Sequence, residues 1–367
     1  MLGISVYPEK ADKKEILEYI DLANKYGFKR IFTCLLSAPK DIEKITKDFK
    51  EIITHGRNYG MEVILDVSPH VFNDLNINYD DLKFFADLNA TGIRLDMGFD
   101  GKIEANMTNN PYDLKIELNM SSCTNYVNLI MDYNPKKSNL IGCHNFYPQK
   151  YSGLSLDHFI KCSEKFKSLN LRTAAFVTSQ VGLEGPWEVT QGLPTLEMHR
   201  NLAVDTQVKH MYQIGLIDDI IISNQFASEE ELEKISKIKE NVLKFKIKLI
   251  DNLDELSKKI IFDDEHIYRG DINEYAVRTS KTRIKYKNES IKPKNQEKIL
   301  KRGTVVICND SFGQYKAELQ IIKKEIIDEE LQRNVVGFIE ENELFLLDTL
   351  KPWQKFSFEE YNENINK

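Results

Sequence analysis

Up to about residue 225, apolar residues fall in short runs that alternate with longer amphipathic stretches. The runs Leu2–Val6, Arg30–Cys34, Glu62–Val67, Gly92–Leu95, Lys115–Leu118, Leu140–Cys143, Thr173–Val177 and Asp219–Ile222 are rich in Ile, Val and Leu, with polar, Gly or Pro residues at their ends. Such runs predict strands buried on both faces. Helical spacing fills the intervals. Asp12–Tyr26 carries Ile16, Leu17, Ile20, Leu22 and Ala23, and Gly27 stops it. Asp41–Tyr59 repeats the pattern with Gly60 as its stop, and Tyr79–Leu88, Cys123–Tyr133, Ser155–Leu169, Leu196–Ile214 and Ser228–Asn241 follow. The stretch 100–109 carries the weakest helical pattern. Eight strands alternating with helices predict parallel βα units. An open doubly wound sheet and a closed barrel both fit alternation. Eight units, spread over roughly the 250 residues typical of a TIM barrel, favour the barrel. No GxGxxG follows the first strand, which counts against the dinucleotide-binding alternative.

From about Phe245 the pattern changes. Strand-like runs occur at Glu274–Arg278, Thr304–Cys308, Ala317–Ile322, Val335–Ile339 and Leu344–Leu347, with little helix between them. The expected architecture is α/β: a TIM (β/α)8 barrel over residues 1–244, then a smaller, mostly β domain over 245–367.

Composition narrows the function classes. The 367 residues are 41% apolar and 29% charged, an ordinary globular balance with material for a large core. Fifty basic against 57 acidic residues give a net charge of −7. So acidic a chain makes a poor non-specific nucleic-acid ligand. No apolar stretch is long enough for a membrane span, and the N-terminal stretch lacks the pattern of a secretory signal. A cytoplasmic location is expected. The cysteines number five, are widely spaced and form no CxxC, so neither a disulfide framework nor a structural zinc site is expected.

Candidate chemistry lies where barrel enzymes keep it, at the C-terminal ends of the strands. Strand one ends on Tyr7, strand three on Asp66 and His70, and strand four on Arg94 and Asp96. Strand five carries Glu117 and Asn119, and strand six leads into His144, Asn145 and Tyr147. One polar strand end usually caps a helix or solvates a loop. Several that carry ionisable groups together suggest a shared cleft, because unpaired buried charge costs several kcal/mol. Residues two apart face the same side, so Arg94 with Asp96, and Glu117 with Asn119, are placed to enter the barrel mouth from neighbouring strands. Asp96 and Glu117 form the candidate catalytic pair. Two carboxylates in different environments are the minimal apparatus for splitting an acetal, one as acid and one as nucleophile or base. The alternative is an Arg94–Asp96–Glu117 ion network that only holds the barrel interior. Asp66 is a third candidate carboxylate. His144 reads as an acid or base, a donor to a sugar hydroxyl or a core histidine. Trp187 and Tyr147 suit a sugar ring face or loop packing. No GxSxG, HExxH or P-loop occurs. A metal site from His144, His199 and a carboxylate lacks supporting spacing, so no metal or cofactor is expected.

Residues 278–302 hold ten basic and two acidic residues, +8 against the overall charge. Most of these lysines read as a solvated face. VRTSKTR is more specific: on a short strand it would place Arg278, Ser280 and Arg283 at alternating positions suited to a phosphate or carboxylate.

With these stretches in hand, the chain resembles the 6-phospho-N-acetylmuramidase family of glycoside hydrolases. The resemblance rests on GISVYP, FTCLL, DVSP, GIRLDMGF, CHNFYP with GLS soon after, GLPTLEMHR, NQFASEEEL, VRTSKTR, IKPKN, and NDSFGQYKAELQI followed by NVVGFI. These run nearly the full length, in family order. The resemblance implies a TIM barrel followed by a cyclophilin-like β-barrel domain that contributes to the substrate cleft. It implies intracellular hydrolysis of N-acetylmuramic acid 6-phosphate linked β-1,4 to N-acetylglucosamine, a phosphorylated amino-sugar disaccharide from cell-wall recycling. Tyr7, Asp66, His70, Arg94, Asn119, His144, Asn145, Tyr147, Arg278, Ser280 and Arg283 would then bind substrate around Asp96 and Glu117. Neither nucleic acid nor membrane is an expected partner, and a homodimer stays open. The sequence departs from the family pattern near Gly182–Trp187, where Glu184 and Gly185 stand in place of a basic residue before Gly-Pro. A catalytically idle sugar-phosphate sensor, and an aldolase or isomerase on the same barrel, are the rival readings.

Overall fold

A computed structural model describes residues 1–35, 42–67, 72, 77–95, 97–263 and 265–361. The chain separates into two compact units, Met1–Lys237 and Ile238–Lys367.

In the first unit, β1 (Leu2–Val6), β2 (Arg30–Leu35), β3 (Glu62–Val67), β4 (Gly92–Leu95), β5 (Lys115–Asn119), β6 (Leu140–Cys143), β7 (Arg172–Val177) and β8 (Asp219–Ile222) pair in parallel and close, β8 against β1, into one barrel. The strands match the sequence reading to within a residue at each end. Between them lie α1 (Lys13–Lys25), α2 (Ile42–Asn58), α3 (Lys83–Asp87), α4 (Lys102–Thr108), α5 (Tyr126–Asp132), α6 (Leu156–Ser168), α7 (Val204–Ile214) and, after β8, α8 (Glu229–Ser236). Several helices start on the residue that the sequence supplies as a cap. Asp12 accepts from Lys14 N–H, and Ser228 and Glu231 form a reciprocal capping box. The predicted helix over Leu196–Ile214 starts later, at Val204; before it lies only a single 3-10 turn, Glu197–His199.

In the second unit, β9 (Val242–Leu249) is followed by α9 (Glu255–Phe262), β10 (His266–Ile267), β11 (Ala276–Thr279), α10 (Lys281–Lys285), β12 (Ile299–Leu300), β13 (Thr304–Cys308), β14 (Leu319–Ile322), β15 (Ile326–Ile327), β16 (Arg333–Ile339) and β17 (Lys355–Glu360). Seven of these strands form a nearly closed, barrel-shaped sheet in the order β10-β17-β9-β16-β13-β14-β11. It encloses a core that includes Phe245, Ile247, Tyr268, Val305, Leu319 and Phe356. Two readings are corrected here. Leu344–Leu347 is not a strand but part of a 3-10 segment, Glu341–Asp348. The boundary expected at 244/245 would cut β9, which belongs wholly to the second unit. No helix among the described residues is long and apolar enough to cross a membrane.

Candidate active site

Alternate residues of each barrel strand face inward, and in this barrel many of them are charged. Arg30, fully buried on β2, reaches Glu117 on β5 with one guanidinium nitrogen and Asp219 on β8 with another. These strands are not neighbours, so the contacts cross the barrel interior. Asp219 also takes Arg172 Nε at 2.8 Å, and Arg172 takes Glu62 at 2.8 Å. In the other direction Arg94 Nη1 lies 3.8 Å from Glu117 Oε1, and Arg94 Nε lies 3.7 Å from Asp66 Oδ1. The result is a ladder of alternating charge, Glu62–Arg172–Asp219–Arg30–Glu117–Arg94–Asp66, running from the strand starts towards the strand ends. Burial alone would disfavour the charged form of Arg30, but Glu117 and Asp219 outweigh it and leave Arg30 firmly protonated. Burial would likewise raise Asp219, yet Arg30 and Arg172 hold it below the usual carboxylate range.

This ladder changes the reading of Glu117. Its face was predicted correctly, its depth was not. Glu117 is 0% exposed and sits two residues below Asn119, enclosed between Arg30 and Arg94. It lies beneath Arg94 as a rung of the interior ion network, the arrangement the sequence offered as the alternative to a catalytic pair. Asp96 and His70 lie outside the described residues.

Asp66, one residue before the end of β3, has 18% of its side chain exposed. Cys34 Sγ is 3.7 Å from its other oxygen. Arg94 also donates to the Cys143 carbonyl at 3.2 Å and to the side-chain oxygen of Asn145. Asn119, at the end of β5, accepts from Ser121 N–H at 3.0 Å and lines a cavity of about 340 Å³ with Leu95, Phe99 and Tyr126. Beside it Glu104, fully buried and unremarked in the sequence, accepts from the Tyr126 hydroxyl and from Gly101 N–H at 2.8 Å.

His144 does not enter a cleft. Its ring is fully buried and stacked on Phe159 at 4.5 Å, with Ser121 Oγ 3.3 Å from Nδ1 and Ser163 Oγ 3.0 Å from Nε2. Burial, helped by Arg94, lowers its pKa to about 3, so it stays neutral. This is the placement that the core-histidine reading described. Tyr7 is also buried, donating its hydroxyl to the Ser223 carbonyl at 2.5 Å. It packs with Phe32, Phe176 and Cys34 in a small apolar cluster inside the barrel. Asn145 and Tyr147 are half-buried, and their backbone is fixed by Ser121 and Pro194.

Sequence reasoning missed the clamp that shapes the loops here. Arg200 grips Glu197 with two nitrogens and spends its third on the carbonyls of Tyr147, Gln191 and Gly192. Glu197 in turn accepts from the Tyr151 and Gly153 N–H groups, and Arg200 with these bonds brings its pKa down to about 2. The motif TLEMHR thus ties the loop after β6 to the loop after β7. The departing residue Glu184 has a similar use: it accepts from Gln225 Nε2 at 2.9 Å.

In the second unit, Arg278 and Arg283 converge on one buried carboxylate, Glu318. They do not alternate along a strand. β11 ends at Thr279, and Arg283 lies on α10. Ser280 precedes that helix without capping it by its side chain.

Among known proteins, residues 2–237 match the N-terminal family of 6-phospho-N-acetylmuramidase and residues 243–359 its C-terminal family. The chain belongs to the 6-phospho-N-acetylmuramidase family. A crystal structure of an uncharacterized B. cereus protein is 50% identical, with 98% of this chain and 99% of that one covered and a TM-score of 0.91. A conserved Enterococcus faecalis protein of unknown function, 22% identical over the full length of both chains with a TM-score of 0.76, shares the fold. No curated protein matches. The described residues contain no group of three or more His, Cys, Asp and Glu side chains placed to hold a metal ion.

Proposed function

We propose that this chain is a glycoside hydrolase that cleaves the β-1,4 bond between N-acetylmuramic acid 6-phosphate and N-acetylglucosamine, in the intracellular breakdown of cell-wall sugar. Family membership supports the reaction class. The observation that carries it to a site is the Asp66–Arg94 pair near the ends of β3 and β4, with the Asn145 amide bonded to Arg94 and Asn119 at the end of the neighbouring β5. Arg94, 3.8 Å from Glu117 below it, lies 3.7 Å from Asp66, a carboxylate in the position a nucleophile or base would take. The amides suit sugar hydroxyls. Asp96, which follows Leu95 in the sequence, is the proposed second carboxylate, acting as the acid that protonates the leaving oxygen. The test is incubation with the phosphorylated and unphosphorylated disaccharides, followed by product analysis. Cleavage of the phosphorylated one alone is expected. Equal cleavage of both would remove phosphate recognition, and saturable binding without cleavage would make the chain a sensor.

A further inference from the structure

The loop that follows β5, residues 120–125, is tied to α6 by the side chains of one helix face. His158, Cys162 and Lys165 are spaced four and then three residues apart, and so lie along one stripe. His158 Nε2 lies 2.7 Å from the Ser121 carbonyl, which only accepts, so that nitrogen carries the hydrogen. Cys162 Sγ stands 3.6 Å from the same carbonyl and 3.3 Å from His158 Nε2. Lys165 Nζ donates to the Thr124 carbonyl at 2.6 Å, to Asn125 Oδ1 at 2.8 Å and to the Cys123 carbonyl at 3.5 Å.

Between these ties the loop presents Cys123, whose thiol lies within hydrogen-bonding reach of that of Cys162. Two cysteines far apart in the sequence thus stand side by side, with an imidazole N–H next to one of them. Cys34, Cys143 and Cys308 lie elsewhere, on β2, β6 and β13, and all three are buried. Of the five cysteines only Cys123 is partly exposed. The pair is therefore asymmetric: Cys123 is open to reagents and Cys162 is enclosed. Burial pushes the Cys162 thiol up to about 12, so it is not the sulfur that starts an exchange.

We propose that Cys123 and Cys162 are a reversible redox pair, in which Cys123 reacts with a small disulfide and Cys162 resolves the adduct into an intramolecular bond. The Cys123 thiolate attacks one sulfur of RSSR, forms a Cys123–S–S–R bond and releases RS⁻, which takes up the proton that Cys123 gave up. Cys162 then attacks Cys123 Sγ and expels the second RS⁻, which takes up the proton of Cys162. His158 Nε2–H donates to the Cys162 sulfur as negative charge forms there. In sum, both protein thiols are oxidised to one disulfide, and one RSSR is reduced to two RSH. The bond would fix the loop that carries Ser121, whose Oγ accepts from Asn145 N–H at 2.8 Å. It would also fix Ser122 and Thr124, which line the cavity of about 340 Å³ with Asn119. The inference concerns the thiols and does not rest on the hydrolase reading.

The test exposes the native full chain to oxidised glutathione, blocks the remaining thiols in denaturant and maps the products by proteolysis and mass spectrometry. The expected product is a Cys123–Cys162 cross-linked peptide that dithiothreitol abolishes, with Cys34, Cys143 and Cys308 recovered as free thiols. Cys162→Ser should trap one glutathionyl group on Cys123, because nothing is left to expel it. Cys123→Ser should leave Cys162 unmodified. His158→Phe keeps a ring in place without its N–H. It should form the mixed disulfide at the wild-type rate, which checks the fold, and resolve it about tenfold more slowly, the loss expected for a charge-assisted bond. A wild-type chain that forms no cross-linked peptide, or that keeps the glutathionyl group on Cys123, would overturn the proposal. So would a Cys162→Ser chain that takes up no glutathionyl group. Equal resolution rates in the wild type and His158→Phe would remove the histidine from it.

Discussion

Arg30 and Asp66 mark the two ends of what a charged residue does in this barrel. Arg30 compensates Glu117 and Asp219 where water cannot reach. Replacing it with Met leaves two buried carboxylates short of a partner, and about 3–5 kcal/mol of stability should be lost, measured by denaturant unfolding. Glu117→Gln should behave similarly, lowering stability through a loosened Arg94. Asp66 is close enough to the surface to meet a ligand. Asp66→Asn should lower kcat about 10²–10⁴-fold with an unfolding midpoint near that of the wild type. If Asp66→Asn keeps full activity, the proposed assignment of the carboxylates is wrong. The alternation of KIELN told which way Glu117 faces. It could not tell how deep, because depth depends on the stagger of β2 and β8 against β5, and Arg30 sits at a strand start where nothing local marks it as a partner.

The barrel strands were legible because each is buried on both faces and bounded by polar residues, so the apolar runs and the strands coincide. The second unit was less so. β9 reads VLKFKIKL, and its lysines alternate with core residues such that no continuous apolar run announces it. Leu344–Leu347 is apolar without being extended, since its leucines plug the unit's core from a 3-10 segment. Packing between element types yields its own prediction. A Cβ at Gly142 on β6 would stand 2.5 Å from Cδ1 of Phe166 on α6. Gly142→Ala should therefore cost about 1–3 kcal/mol by overpacking, visible as a lowered Tm, and adding Phe166→Leu should recover part of it.

Among the described residues, three of the buried histidines, His144, His199 and His210, are held neutral by burial. His144 is lowered to about 3, His210 to about 4, and His199 well below its usual value beside His210, whose Nδ1 is 2.8 Å from His199 Nε2. Unfolding frees them to take up protons near pH 6.5. Their contribution to stability is thus complete above that value and falls as the pH drops towards 4 and 3, by up to about 1.4 kcal/mol per pH unit for each histidine. Denaturant unfolding at pH 7, 6 and 5 should show this decline. Glu197, lowered to about 2, acts only below pH 4.5. A flat profile between pH 7 and 5 would show that the histidines are not buried neutral.

The ladder through the barrel also bears on how such a fold could be cut or assembled. Its rungs come from β2, β3, β4, β5, β7 and β8, so a half-barrel ending before β5 would carry Arg30 without either of its carboxylates. The other half would enclose Glu117 and Asp219 without Arg30. Four-unit fragments expressed apart should remain unfolded, and expressed together they should recover the native barrel. That outcome would make closure a single cooperative act, with charge acting beside the backbone ladder.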